Sequence, residues 1–395
     1  MKNREVWITG IGLVSCFGEG AATHWDLLGG KNAPAPVVDS ERFKPYSVHP
    51  LPEMDWSKQI PRRGDQRQME NWQRLGTYTA GLALDDAGLK DNEELVSTMD
   101  LVVAAGGGER DIAVDDSIMK DAASRNDREN LLNERLPFDL RPTLFLAQLS
   151  NLMAGNISIV HKVTGSSRTY MGEETAGITA IQNAVSRIQS GQSTHLLVGG
   201  AFNAERIDLL LSMELGHFAH HGTPSPIQAR QKNGGGMITG SAGAFLVLED
   251  AEFARKRGAV PYARLSRIVS DLGSRAPDKA AARIDELLES LDVPAGTAVV
   301  TGASGYGPAT ELEFAALERK LGKGAAIRAF ATMIGNPIEA NFPAGVALAA
   351  LAIRNGGFFA PFENAELPLD GAPSSVLVAT IGHNLGEGFG LVEKV

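Results

Sequence analysis

The 395-residue chain contains one cysteine, Cys16. An intrachain disulfide and a cysteine-built metal cluster are therefore excluded, and a reducing, cytoplasmic setting is expected. Positive charge is also short: 37 Lys and Arg stand against 47 Asp and Glu, a formal net charge of −10. With no long basic run, nucleic acid and anionic membrane surfaces are poor partners for it. No run approaches the ~18 apolar residues of a membrane span. The longest, from Ala344 to Ile353, is about half that length and reads as a buried helix. The first residues, Met-Lys-Asn-Arg-Glu, enter a strand-like segment with no apolar leader, so no signal peptide is expected.

What the chain does hold is ordinary for a folded protein, which excludes a disordered or fibrous one: 43% hydrophobic and 21% charged residues. Glycine is abundant, 44 residues or about 11%, against an average near ~7%. Tight turns and close backbone contacts follow. At ~100–200 residues per domain, the length allows two to three domains or one large double domain.

Strand and helix signals alternate along the chain. Buried strands are predicted at Val6–Ser15, Leu101–Ala105, Arg168–Met171, Leu196–Gly200 and Ala244–Glu249. Helices are predicted over about 66–88, with Gly88 as C-cap, and from Gly177 to Ser190, closed by Gly191. Residues 110–140 read as exposed helix and loop. The second part repeats that order, with strands at Ala263–Val269, Thr297–Gly302, Arg328–Phe330, Ser375–Ala379 and Gly388–Val395. Its helices are Asp278–Leu291 and Ala344–Arg354. Alternation of this kind implies largely parallel sheets covered by helices. The repeat predicts two similar βαβ-rich halves, residues 1–250 and 251–395, packed into one body because no Pro/Ser linker separates them.

Three runs carry a resemblance that covers nearly the whole chain in order. They are Val6-Trp-Ile-Thr-Gly-Ile-Gly-Leu-Val-Ser15, the stretch Met153–Ile159 continuing through Gly165–Gly177 and Ile188–Gly200, and Gly240-Ser-Ala-Gly-Ala-Phe-Leu-Val-Leu-Glu249. The chain resembles the β-ketoacyl-acyl-carrier-protein synthase family. That resemblance implies the thiolase-like α/β fold: two βαβ-rich halves in a five-layer αβαβα sandwich.

The chemistry implied by the family does not carry over. Family members use a Cys nucleophile at a helix N-terminus, whose dipole lowers the thiol pKa, assisted by two histidines. Where the family has its Thr-Ala-Cys turn, this chain has Gly172-Glu-Glu-Thr-Ala-Gly177, so Glu174 takes the Cys position. The first His turn is Thr301-Gly-Ala-Ser-Gly-Tyr-Gly307, with Ala303 in the His position. The second is Ala331-Thr-Met-Ile-Gly-Asn336, with Asn336 in the His position and Ala331 in that of a preceding Lys. The closing Gly-Phe-Gly-Gly loop has become Gly382-His-Asn-Leu-Gly-Glu-Gly388. No catalytic residue is therefore expected. A carboxylate nucleophile would give a mixed anhydride from a thioester, which is uphill without activation.

The pattern is similar to the chain-length factors of type II polyketide synthases, which lack the Cys, pair with an active synthase and shape its acyl tunnel. Within that branch it is also similar to subunits of aryl polyene systems. The resemblance implies a heterodimer with a Cys-containing ketosynthase, contact with an acyl carrier protein through that partner, and no cofactor. It places Leu144, Phe145 and Leu149 at the tunnel or interface and Arg168, Tyr170 and Met171 on an interface strand. A second reading is residual malonyl decarboxylation or acyl transfer; without either histidine the enolate would lack electrostatic support. A third is a homodimeric acyl-binding protein.

Each singled-out feature also has a plainer reading. Glu174 can simply favour a helix dipole, or it can plug the pocket. Cys16 reads as a small core residue. His217, His220 and His221 lie in one short loop without a carboxylate pattern, so no metal site is expected. Gly106–Gly108 and Gly234–Gly236 lack phosphate-loop spacing and read as turns. Arg62, Arg63 and Arg67 could meet an acidic carrier protein, with a solvated face as the default.

Overall fold

Ten strands form the frame. In the computed structural model, which describes residues 4–395, the first five are β1 (Val6–Ser15), β2 (Asp100–Ala104), β3 (Ser167–Tyr170), β4 (His195–Phe202) and β5 (Ala242–Asp250). They lie in the order β3-β2-β4-β5-β1. β2 runs parallel to β3 and β4, while β5 is antiparallel to β4 and β1. The next five are β6 (Ala263–Asp271), β7 (Ala298–Thr301), β8 (Ile327–Ala329), β9 (Ser375–Ile381) and β10 (Glu387–Glu393). Their order, β8-β7-β9-β10-β6, repeats the first set strand for strand, with the same directions. Two pairs, Trp7–Arg264 and Ile8–Ala263, join β1 to β6, so both sets belong to one hydrogen-bonded sheet. The predicted strands all form. The reading of Met1–Asn3 as leaderless lies outside the described residues.

Two helices, Glu174–Gln189 (α2) and Asn341–Asn355 (α4), pack against each other between the two strand sets. The second is buried without a break from Asn341 to Ile353. An all-round apolar surface suits a helix with protein on every side, which is how Ala344–Ile353 reads in the sequence. The outer faces are covered by α1 (Asn71–Asp86) on the first set and, on the second, by α3 (Gly307–Leu321) and the helix Pro277–Ser290. The result is the five-layer arrangement expected. Among the described residues no helix is long and apolar enough to cross a membrane.

Local chemistry sets the helix ends. Glu70 and Gln73 form a reciprocal capping box that starts α1. The helix expected over 66–88 is therefore two pieces: Arg63–Gln68, which carries exposed Arg63 and Arg67, then an extended Met69, then α1. Gly177 lets α2 approach the Ile338–Ala340 turn. A Cβ there would sit 2.5 Å from the Glu339 carbonyl oxygen and 2.9 Å from Pro343 Cδ.

The two sheet ends differ. Beyond β8, the Glu366 carboxylate accepts from the Ala329 amide at 2.9 Å, and buried Arg328 donates to the carbonyls of Phe359 and Leu367. Beyond β3 no described strand pairs, and Ser167 and Arg168 are exposed.

Candidate functional site

Strand β3 delivers the chain to a sharp turn. Gly172 has φ +128° and Glu173 has φ +56°, a left-handed conformation unusual for a residue with a Cβ. That turn starts α2 at Glu174, three residues before the sequence pattern placed it. Glu174 is thus the first helical residue, 1% exposed, where the helix dipole favours an anion.

Its carboxylate is fully engaged. His383 Nδ1 lies 2.9 Å from both oxygens, and Asn336 Nδ2 donates to Oε1 at 3.2 Å. Burial pushes the Glu174 carboxyl up, but His383 and the hydrogen bonds outweigh it and hold it below the usual carboxylate range. Burial alone would lower His383; the charges of Glu174, Glu173 and Glu339 raise it instead. The two form a buried ion pair. Phe218 stands edge-on to the imidazole, ring centroids 4.6 Å apart. His383 Nε2 makes no hydrogen bond, and Glu173 Oε1 is 3.7 Å from it.

Asn336 passes the network on. Its Oδ1 accepts from the Ile338 amide at 2.9 Å and from Asn341 Nδ2 at 3.1 Å. Asn341 also donates to the Gly302 carbonyl at 2.9 Å and accepts from Thr380 Oγ1 at 2.9 Å. Around this chain two further acids are buried, Glu313 and Glu339, both pushed up to about 7 by desolvation. Ala303 follows Gly302 and is fully buried in a small apolar cluster with Ile227, Ala329 and Ala331.

Of the residues singled out from sequence, Glu174 and Asn336 therefore meet directly, while Ala303 lies one residue past a carbonyl they hold through Asn341. Sequence reasoning missed His383 as a member of the site. The altered loop Gly382–Gly388 was its only signal. Cys16 is buried, its thiol pushed up to about 12 chiefly by desolvation, as a core residue should be. Glu173, Glu174 and His383 are the one set among the described residues whose ligand atoms lie close enough, within 4.8 Å, to hold a metal. Glu174 and His383 already satisfy each other there. The three loop histidines diverge: His220 is buried on two backbone carbonyls, and His221, contrary to the reading that no carboxylate accompanies them, pairs with Glu214 at 2.9 Å.

The tunnel and interface candidates lie on one stretch of chain. Leu144 is buried at 5% exposure, whereas Phe145 is 73% exposed and Leu149 40%. Leu144 and Phe145, with Leu136, Leu140 and Pro142, form the apolar part of a cleft of about 630 Å³ that Arg110, Asp111, Asp115 and Arg141 also line; Leu149 lies outside that lining. Arg168, half-buried Tyr170 and exposed Met171 sit on or just after the edge strand β3.

Comparison with known proteins follows this geometry. The family described as "Beta-ketoacyl synthase, N-terminal domain" matches residues 3–254. A 3-oxoacyl-[acyl-carrier-protein] synthase 2 of Vibrio harveyi is 25% identical over 67% of the chain, a match spanning 62% of that relative's length. The tetracenomycin polyketide synthase ketoacyl synthase beta subunit of Streptomyces glaucescens is 27% identical over 89% of the chain and 86% of its own length. The solved ishigamide ketosynthase/chain length factor superimposes with a TM-score of 0.77 over the whole of both chains at 19% identity, which is a likeness of fold. With a family match across most of its length and this thiolase-like architecture, the chain belongs to the beta-ketoacyl synthase family.

Proposed function

We propose that this chain is a non-catalytic, chain-length-factor-like subunit that pairs with a Cys-containing ketosynthase and shapes the acyl tunnel in type II polyketide or polyene biosynthesis. One observation carries the reading. At the helix start where the family places its nucleophile, Glu174 is closed off by His383 and Asn336, with apolar Ala303 beside the network. A buried, ion-paired carboxylate is a poor nucleophile toward a thioester, and no thiol or second imidazole stands within its hydrogen-bonded network. The alternative, a residual decarboxylase or acyltransferase, would need preorganised donors for an enolate or oxyanion. Asn336 Nδ2 and His383 Nδ1 are instead committed to Glu174, and His383 Nε2 lies against the Glu173 carboxylate.

The partner reading rests on the open edge of β3 and the cleft beside Phe145. A subunit continuing the sheet across β3 would cover that edge. Obligate interfaces of this kind bury above ~2,000 Å². A carrier protein would then reach the active partner's site rather than this one.

The test is expression of the chain alone and with a cognate Cys-containing synthase. Alone, with acyl and malonyl carrier proteins, it should give neither carbon–carbon bond formation nor an acyl adduct by mass spectrometry, and Glu174→Cys should not restore turnover. Together, the two chains should co-purify one to one, and Met171→Asp should abolish that. A stoichiometric adduct on the lone wild-type chain would refute the non-catalytic reading.

A further inference from the structure

A second pocket lies apart from the Glu174 network, behind the Ala303–Ala331 cluster. It holds about 330 Å³, within the range of small-molecule sites. Its lining includes Arg230, His49, Thr332, Pro36, Ile238 and Phe362. Arg230 is 2% exposed. Buried arginines are ordinarily paired, yet among the described residues its guanidinium makes no hydrogen bond and no salt bridge. Nε is buried without a partner. The nearest acidic influence is Glu363, which is spent capping the amides of Gln228 and Ala229 at 3.0 and 3.2 Å and acts on Arg230 only beyond salt-bridge range.

The group is a cation nonetheless. Burial brings Arg230 down to about 10, still well above neutral pH. His49 cannot compensate it: desolvation, with the Arg230 charge second, takes that imidazole down to about 3, so it is neutral. A buried guanidinium with five donors and no acceptor is costly unless an anion completes it. The remaining walls decide what kind of anion. Pro36, Ile238 and Phe362 offer apolar contact that a bare phosphate would leave unused, while the Ser225 and Thr332 hydroxyls are, with His49, the other polar groups of the lining. A planar carboxylate matches the guanidinium fork in two parallel hydrogen bonds.

We propose that this pocket binds a small organic carboxylate, its carboxylate paired with Arg230 and its apolar body against Pro36, Ile238 and Phe362. At roughly 30 Å³ per water-sized group, the space takes a ligand of about ten non-hydrogen atoms. The site is independent of the proposed role in a heterodimer, since neither the open sheet edge nor Glu174 lines it.

The test uses the full chain with hexanoate as probe, followed by calorimetry and by thermal melting. Hexanoate should bind one to one and raise the melting temperature with concentration. Hexan-1-ol, which has the same tail without the charge, should not bind, and neither should inorganic phosphate. Arg230→Met should weaken hexanoate at least tenfold, ~1.4 kcal/mol. Without ligand it should melt no lower than wild type, because an unpaired buried charge has been removed. Arg230→Lys keeps the charge and the fold but loses the fork, and should bind severalfold more weakly. Equal affinity in wild type and Arg230→Met, equal binding of hexan-1-ol, or binding of phosphate in place of hexanoate would each overturn the assignment.

Discussion

Replacing Glu174 by glutamine tests whether the buried charge pair is what closes the former catalytic position. The side chain keeps its shape, and a neutral imidazole can still hydrogen-bond to it. What disappears is the charge at 2.9 Å from His383 Nδ1. His383 then sits among protein with burial dominating, so its pKa should fall below the ordinary 6.5 instead of rising above it. Breaking one partner of a buried pair costs ~3–5 kcal/mol; the retained hydrogen bond returns ~1 kcal/mol of that. Glu174→Ala should suffer the full loss and Glu174→Gln about two thirds to four fifths of it. The pH dependence has a definite sign. Glu174 is depressed, so its contribution is present above the ordinary 4.5 and lost as pH falls through its folded value. His383 is raised, so its contribution is complete below 6.5 and lost as pH rises through its folded value. The gap between wild type and Glu174→Gln should therefore be widest between about pH 4.5 and 6.5 and narrow on both sides. Urea midpoints at several pH values would measure it, with imidazole nitrogen NMR reporting the His383 proton. A gap that stays flat from pH 5 to 9, or a His383 titrating alike in both proteins, would refute the ion-pair account.

Two further outcomes follow from packing. On intact heterodimer checked by gel filtration, Leu144→Trp should shorten the main product and Leu144→Ala lengthen or broaden it. Overpacking a cleft wall costs ~1–3 kcal/mol, or about one to two decades in the partition between extension and release; an unchanged product profile would make Leu144 interface core only. Gly177→Ala should destabilise by about 1–3 kcal/mol, since its Cβ would press on the Glu339 backbone, while Gly64→Ala, which meets open space in an exposed helix, should be neutral or slightly stabilising in the same denaturation assay.

The strands were legible because β-branched runs end in glycine turns, and the repeat was legible because each half presents those runs in the same order. The start of α2 was less so. Gly177 looks like a helix entry, but the turn that raises the helix sits at Gly172 and Glu173, where a left-handed glutamate has no propensity signal. Glu174 and Asn336 stood out as replacements within quoted motifs. His383 did not, because an isolated histidine in a loop acquires meaning only when the fold folds that loop back, 209 residues along the chain, onto the helix start. Arg230 carried no pattern at all: its unusual property is the lack of a partner, which only packing reveals.

The unequal ends of the sheet limit how this chain can grow. Because the two strand sets share one topology, β3 and β8 are equivalent termini, and strand addition at both would string protomers into an unending ribbon. The β8 end is stoppered by Glu366 on the Ala329 amide and by Arg328 holding the Phe359 and Leu367 carbonyls. Among the described residues, the β3 end has no strand beyond it and is an open edge of the kind that accepts another strand. Strand addition confined to that one end would stop at a pair, whereas addition at both would run on as a polymer.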